Sequence, residues 1–198
     1  CNDGTLFDGY LTKGIVKVGY DLAENMISEA KARAGWGSSI FNEPFSAEAY
    51  NRAFEVRAKI ITAVAMFYDL NDPVAFCASI KDVLAPDGLA VIQMNDLYSM
   101  VKNNAFDMIS HEHVCYYSMK VVTELMDSCG LRVDDYAHFD LNGGTVRLFV
   151  RHADHLTSHP WNGIKHRIRF ENHAIGKLDG LARDISAAAH AVHKFVED

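Results

Sequence analysis

The residues from Phe106 to Tyr117 (Phe-Asp-Met-Ile-Ser-His-Glu-His-Val-Cys-Tyr-Tyr) set one carboxylate, Glu112, between two imidazoles, His111 and His113, directly before a pair of tyrosines. Histidine titrates near neutral pH, and a neighbouring carboxylate can orient it or raise its basicity. The chemistry open to such a group is removal of a proton from a carbon or oxygen acid. Polar residues in a loop are ordinarily just solvated. What lifts this segment is its place, beyond the last parallel strand expected of an open α/β sheet, where such folds hold their ligands.

A second group lies at the start of the chain. Cys1-Asn2-Asp3-Gly4-Thr5-Leu6 reads either as a plain turn or as the tail of a glycine-containing loop that follows a first β-strand and cradles a nucleotide. Asp21 supports the second reading. An acid ending the next strand, about 20 residues beyond the loop, is placed to accept the two ribose hydroxyls of a nucleoside. A surface aspartate at a strand end is the alternative.

Strand and helix signals alternate through the elements that must position these groups. Gly14 to Tyr20 reads as a strand, Asn25 to Ala34 as a helix stopped by Gly35, Ser38 to Phe41 as a strand, and Ser46 as the cap of a helix reaching about Glu55. Lys59 to Met66 is a near-continuous apolar run, expected of a strand buried on both faces. Asp72-Pro73 opens a helix with Val74, Phe76, Ile80, Val83 and Leu84 inward. Pro86-Asp87-Gly88 makes a turn before a strand over Leu89 to Met94. A helix over Val121 to Cys129 stops at Gly130. Strands over Leu131 to Phe139 and Thr145 to Arg151 then join through Asn142-Gly143-Gly144 as a hairpin. From Ile164 to Val196 apolar residues recur at helical spacing. This order predicts an α/β doubly wound sheet, mostly parallel, with an antiparallel edge hairpin and a C-terminal helical segment.

At 198 residues, 49% hydrophobic and 23% charged, the chain suits one domain with a sizeable core, with room for a small appendage. A net charge of -7 argues against nucleic acid as the main partner, because phosphate binding needs a basic face. No apolar run approaches the roughly 18 residues of a membrane span. Cys1, Cys77, Cys115 and Cys129 are scattered without a CxxC pair, which favours free thiols in a reducing, cytoplasmic setting.

Taken in order, several segments resemble the S-adenosylmethionine-dependent sugar C-methyltransferases, which methylate C3 of nucleotide-linked deoxy-4-ketosugars. They are Cys1 to Leu6, Gly19-Tyr20-Asp21, Phe45-Ser46, Ala65 to Pro73, Leu84-Ala85-Pro86-Asp87-Gly88, the Phe106 to His113 segment and Asn142 to Arg147. The likeness runs from Cys1 to about Arg151. The Leu-Ala-Pro-Asp-Gly turn occurs throughout class I methyltransferases, whereas His-Glu-His with the later Gly-Gly-x-x-Arg is more specific. The resemblance implies a Rossmann-like class I methyltransferase domain over 1–155, and a helical connection over 156–198. It implies that an N-terminal cysteine-rich zinc module, the strand bearing the first cofactor motif and a second α/β domain belong to a longer protein.

For the site, the resemblance implies S-adenosyl-L-methionine as cofactor. Asn2, Asp3 and Gly4 would line its methionine moiety, and Asp21 would hold the ribose. Glu43 and Phe45 would flank the adenine, with Ala65 and Met66 beneath. His113 matches the catalytic base and Glu112 the carboxylate that orients it, with no metal. Ser110 stands where the family has a tyrosine, and Asn142 where many relatives have histidine, so substrate contacts depart from the pattern there. Tyr116 and Tyr117 either line the substrate pocket or fill space. Arg147 either meets a substrate phosphate or pairs with an acid at the sheet edge.

Two other functions fit parts of the pattern. An NAD(P)-dependent oxidoreductase acting on a nucleotide sugar would share the alternation and Asp21, but the first turn lacks GxGxxG. A metal-dependent hydrolase could use His111, His113 and Cys115, which point the same way if the segment is extended, although HEH is not HExxH. A fragment without its central strand could also be inactive.

Overall fold

The computed structural model describes residues 1–155 and 162–175, together with 180, 183–187, 190 and 194. Strand pairing breaks between Glu55 and Val56, and the chain forms two compact units there, each with its own sheet. The first unit holds β1 (Val18–Tyr20), α1 (Ile27–Ala34), β2 (Ser39–Phe41) and α2 (Ala47–Ala53). β1 and β2 pair in parallel with Gly19 opposite Ile40, and Phe7, Ala30, Ala34 and Ile40 form a small core beside them. β1 starts at Val18 and not at Gly14, because Gly14 adopts a φ of 78° and turns the chain. Ser46 caps α2 as expected, its hydroxyl accepting the Ala49 N–H at 3.0 Å.

The second unit is built on β3 (Ala58–Val64), β4 (Leu84–Asn95), β5 (Leu131–Phe139) and β6 (Thr145–His152), in the order β3-β4-β6-β5. β3 and β4 are parallel, and β6 runs antiparallel to both β4 and β5. Three strands therefore share one direction, and the hairpin places its reversed strand between β4 and β5. On one face the register stacks Ala90 on Val150 on Val133 and Ile92 on Leu148, and all five are buried. Helices α3 (Pro73–Val83) and α5 (Met119–Ser128) pack on this sheet and meet where Cys77 Sγ lies 3.7 Å from Met126 Sδ. Helices α4 (Leu97–Asn103) and α6 (Asn162–Ile175) complete the unit. α6 packs against α4, α5 and β5, so the first part of the expected helical segment belongs to this unit's core. Much of the stretch beyond Ile175 lies outside the described residues.

Three expectations need correction. β3 is not buried on both faces: Ile60 and Val64 are exposed, because in its unit β3 is an edge strand paired to β4 alone. Val74 is exposed too, since it lies about 200° around α3 from Phe76. Cys77 takes the inward place beside Phe76 and Ile80. The Pro86-Asp87-Gly88 turn survives inside β4 as a bulge, the register jumping from Ala58–Leu84 to Ile60–Leu89.

Local capping fixes where α3 and α5 begin. The Asp72 carboxylate accepts the Ala75 N–H at 2.9 Å, and the Ser118 hydroxyl accepts the Val121 N–H at 3.3 Å. Ser118→Ala is expected to lower stability by about 1 kcal/mol in urea denaturation, as loss of a helix N-cap does. A change within experimental error would show that the cap contributes nothing.

Candidate functional site

In the first unit, Gly19 lets the N-terminal loop lie against β1. A Cβ there would meet Cys1 Sγ at 2.7 Å and Ile40 Cδ1 at 2.9 Å. The loop thus crosses the carboxyl end of β1. Gly4, with φ 81°, turns it onto α1, where a Cβ would meet Ala30 Cα at 2.9 Å. Asp3 accepts the N–H and hydroxyl of Thr5 at 2.9 and 2.6 Å, and that hydroxyl holds its carboxyl below the usual range.

Asp21 stands at the end of β1. Its Oδ2 accepts the Cys1 amine at 2.7 Å and the Asn2 N–H at 2.6 Å, and its Oδ1 accepts the Ala23 N–H at 2.9 Å. Partial burial raises its carboxyl, and the hydrogen bonds from the Cys1 nitrogen and the Ala23 and Asn2 N–H groups lower it below the ordinary carboxylate range. Three of its four acceptor positions are used, so one on Oδ1 is open to a hydroxyl.

Tyr20 stacks on Phe41 at 5.1 Å and meets Phe45 edge-on at 5.5 Å, forming an aromatic group at the strand ends. Burial pushes the Tyr20 hydroxyl up to about 12, and it has no hydrogen-bond partner among the described residues. Glu43 is held by Arg52, whose Nη2 reaches its two oxygens at 2.8 and 2.7 Å. The structure thus brings Asn2 to Asp21 and Phe45 to Tyr20, and pairs Glu43 with a residue outside the expected set.

In the second unit, the segment from Ser110 to His113 is a turn closed by the His113 N–H on Ser110 O at 3.2 Å. It is not extended, so His111 does not share a face with His113. No group of three His, Cys, Asp or Glu side chains suited to a metal forms among the described residues. His113 is half-buried, and its Nδ1 lies 3.0 Å from the Met108 carbonyl. A carbonyl oxygen only accepts, so Nδ1 carries the proton and the neutral ring keeps its lone pair on Nε2. Tyr68 and Tyr116 meet this ring edge-on at 4.5 and 5.8 Å.

The expected orienting role of Glu112 is corrected here. Glu112 is exposed, and the bond that orients His113 comes from the Met108 backbone. Asp69, which the sequence reading passed over, also lies in this group: desolvation raises its carboxyl, His113 lowers it and Glu112 raises it.

Ser110 holds the turn with three groups: its N–H donates to Tyr116 Oη at 3.1 Å, its hydroxyl accepts from Glu112 N–H at 3.3 Å, and its carbonyl accepts from His113. Its hydroxyl hydrogen and one hydroxyl lone pair remain for a substrate. Tyr117 is 5% exposed and packs on Phe67 at 5.3 Å, so it fills the core and does not line a pocket. Among the described residues Arg147 pairs with no acid, and it does not stand alone. Its Nε and Nη2 donate to Gln93 Oε1, its cross-strand neighbour, at 3.1 and 2.7 Å, and its guanidinium lies 4.6 Å over Phe139. Ala65 ends β3 in the left-handed region, φ 53°, its N–H on Gln93 O at 3.0 Å, and half-buried Met66 follows. Non-glycine residues in this region are uncommon and cluster at functional sites.

The hairpin tip supports this turn. Asn142 takes φ 48° and is exposed, serving the turn itself. A Cβ on Gly143 would meet Ala105 at 3.0 Å and Met108 at 3.3 Å, and one on Gly144 would meet Ser99 Cβ at 2.1 Å. The two glycines therefore let the hairpin close onto α4 and onto the residue whose carbonyl holds His113. Gly144→Ala, at φ 121°, is expected to cost about 2 kcal/mol or more in a thermal melt, from overpacking plus backbone strain. A wild-type melting temperature would contradict the close approach.

The sequence reading passed over a buried network nearby. Asp96, 2% exposed, accepts Arg167 Nη2 at 2.6 Å and the Ser99 hydroxyl at 2.5 Å. Arg167 Nε donates to Glu171 at 2.7 Å, and the other oxygen of Glu171 accepts the Met119 N–H in the first turn of α5 at 2.6 Å. Burial pushes the Glu171 carboxyl up, against the opposing pull of Arg167. The i,i+4 spacing of Arg167 and Glu171 was a readable signal, but their burial was not.

Residues 1–136 match the family model described as a methyltransferase domain. The C-methyltransferase NovU of Streptomyces niveus is 31% identical over 154 residues, which cover 77% of this chain and 36% of NovU. The chain thus spans about a third of the length of that curated relative. Among solved structures, an S-adenosylmethionine-dependent methyltransferase from Clostridium acetobutylicum superposes with a TM-score of 0.59 at 12% identity, covering 76% of this chain and 80% of that one. The N-methyltransferase NodS from Bradyrhizobium japonicum gives 0.58 at 13%, covering 78% and 83%. At such identities the likeness is one of fold, and it is the α/β methyltransferase fold expected from the sequence.

Proposed function

The chain belongs to the methyltransferase-domain family, and from that premise we propose that it moves a methyl group from S-adenosyl-L-methionine to a carbon of a nucleotide-linked deoxy-ketosugar, through base-assisted enolate formation. The family match displaces the oxidoreductase alternative. The observation that carries the carbon-acid chemistry is the tautomer of His113, whose Nδ1–H is committed to Met108 O and whose Nε2 lone pair is therefore the basic one.

The residues fit the cofactor in two respects. The Gly4 turn has no room for a side chain, and Asp21 keeps one acceptor position open for a ribose hydroxyl. When bound, S-adenosyl-L-methionine supplies an electrophilic methyl on a sulfonium, with a neutral thioether as leaving group. His113 Nε2 takes the proton from the carbon beside the substrate ketone, and the C–H electron pair becomes the enolate. Met108 O holds the ring in place through Nδ1 while Nε2 carries the proton. The enolate carbon forms the new C–C bond, and His113 returns the proton to solvent.

Carbon as the acceptor is supported by His113 and by the activity in the name of NovU. The nucleotide sugar rests on the sequence resemblance, as do the zinc module and second domain of the longer protein. A cytoplasmic setting accords with the four free cysteines. Asp21→Ala in the full-length protein is expected to weaken cofactor binding by about 1.5–3 kcal/mol, roughly ten- to a hundredfold, in a calorimetric titration. Unchanged affinity in a folded variant would remove Asp21 from the cofactor site.

A further inference from the structure

Three sulfur atoms converge between α3 and the end of α5. Cys77 Sγ lies 3.7 Å from Met126 Sδ, and both side chains are fully buried. Cys129 follows α5 as its C-cap, three residues beyond Met126 and so on the same side of the helix. Its Sγ reaches the Val74 carbonyl at 3.9 Å. In an α-helix that oxygen points along the axis to the N–H four residues on, which sets it level with Cys77. The Cys129 thiol therefore stands beside the Cys77 thiol, and burial together with Cys129 pushes Cys77 up to about 12. Cys77 closes the group from inside, whereas Cys129 is half-exposed and opens it to solvent.

Two thiols and a thioether make a soft donor set, and such sets select monovalent copper over hard cations. The 3.7 Å between Cys77 and Met126 is the spacing of two sulfurs each about 2.3 Å from one ion at a near-tetrahedral angle, and a trigonal ion asks for only slightly more. Zinc prefers four ligands, and no third His, Cys, Asp or Glu joins the two cysteines among the described residues. The charge fits as well. Two thiolates around one cuprous ion leave one negative charge. Lys81, one turn beyond Cys77 on α3, lays its ammonium against Gly130 beside Cys129, where a Cβ would meet Nζ at 2.5 Å. We propose that Cys77, Met126 and Cys129 form a site for a single copper(I) ion. On binding, the two S–H bonds break and both protons pass to solvent. Two thiolate–copper bonds form, the thioether donates a lone pair, and copper stays monovalent. The proposal does not depend on methyl transfer.

Titration of the full-length protein with copper(I) against the chelator bathocuproine disulfonate, under reductant and without oxygen, tests it. Cysteines elsewhere in the longer protein contribute equally to every variant, so differences between variants isolate this site. Cys129→Ser, at a half-exposed position outside the buried core, is expected to retain one equivalent of copper fewer than the wild type. Met126→Leu keeps both thiols and nearly the same volume. It should hold that equivalent at least about tenfold more weakly, the least that even an outer-shell change costs a metal site. Peptide mapping after iodoacetamide treatment reads the site directly, and copper(I) should shield Cys129 from alkylation. Four results would each overturn the proposal: equal copper retention by the wild type and Cys129→Ser, unchanged affinity in Met126→Leu, alkylation of Cys129 at the same rate with and without copper, or displacement of the copper by equimolar zinc(II).

Discussion

His113→Asn is expected to abolish methyl transfer and, with it, exchange of the substrate's carbon-bound proton with deuterated water. Removal of a general base costs roughly 10²–10⁴-fold in rate. Asparagine is the informative substitution because its amide N–H can still donate to Met108 O, which His113 Nδ1 meets at 3.0 Å. The turn is kept and only the basic nitrogen is lost, so cofactor binding and melting temperature should hold. Glu112→Gln should have a smaller effect, since Glu112 is exposed and does not orient the ring. His111→Asn, also at an exposed residue, is the control and should remain active. If His113→Asn retains proton exchange while His111→Asn loses it, the base has been assigned to the wrong imidazole.

Arg167→Met is expected to destabilise the second unit by about 3–5 kcal/mol, the cost of leaving buried charges without their partner. Arg167 bonds Asp96 at 2.6 Å and Glu171 at 2.7 Å, and Glu171 is fully buried. Its guanidinium also lies 4.4 Å over Tyr98, a contact the thioether replaces only in part. Because Glu171 accepts the first-turn N–H of Met119, the loss should spread to α5, which begins just after Tyr116 and Tyr117. Urea denaturation followed by far-ultraviolet circular dichroism reads the cost. A loss below about 1 kcal/mol, the worth of a surface pair, would show that α6 is not anchored this way.

The parts of the fold legible in the sequence are those fixed by local chemistry. Ser46 and Asp72 announced their helices because a side-chain oxygen at the N-cap satisfies an orphan N–H nearby in sequence, whereas the Ser118 cap was passed over and α5 begins two residues before the expected Val121. The strands at Leu131–Phe139 and Thr145–His152 were readable from alternation around Asn142-Gly143-Gly144. α4 was missed because Leu97–Asn103 is short and its Asp96 cap position makes no side-chain cap bond. The exposure of Ile60 and Val64 was illegible for another reason: an apolar run tells how a strand could be buried, not which neighbours pair with it. At the site, His113 was visible as a residue type, but its partner is a backbone carbonyl, which residue identity does not encode. The Asp96–Arg167 pair joins residues 71 apart in sequence, beyond the reach of any local pattern.

The most direct test is to supply the full-length protein with S-adenosyl-L-methionine bearing an isotopically labelled methyl, together with a set of nucleotide-linked 4-keto-deoxysugars. NMR of the product then locates the label. The account predicts a methyl bonded to the ring carbon beside the ketone, coupled to that carbon, and no product from His113→Asn. A labelled methyl on oxygen or nitrogen, or transfer to carbon that survives loss of His113, would contradict it.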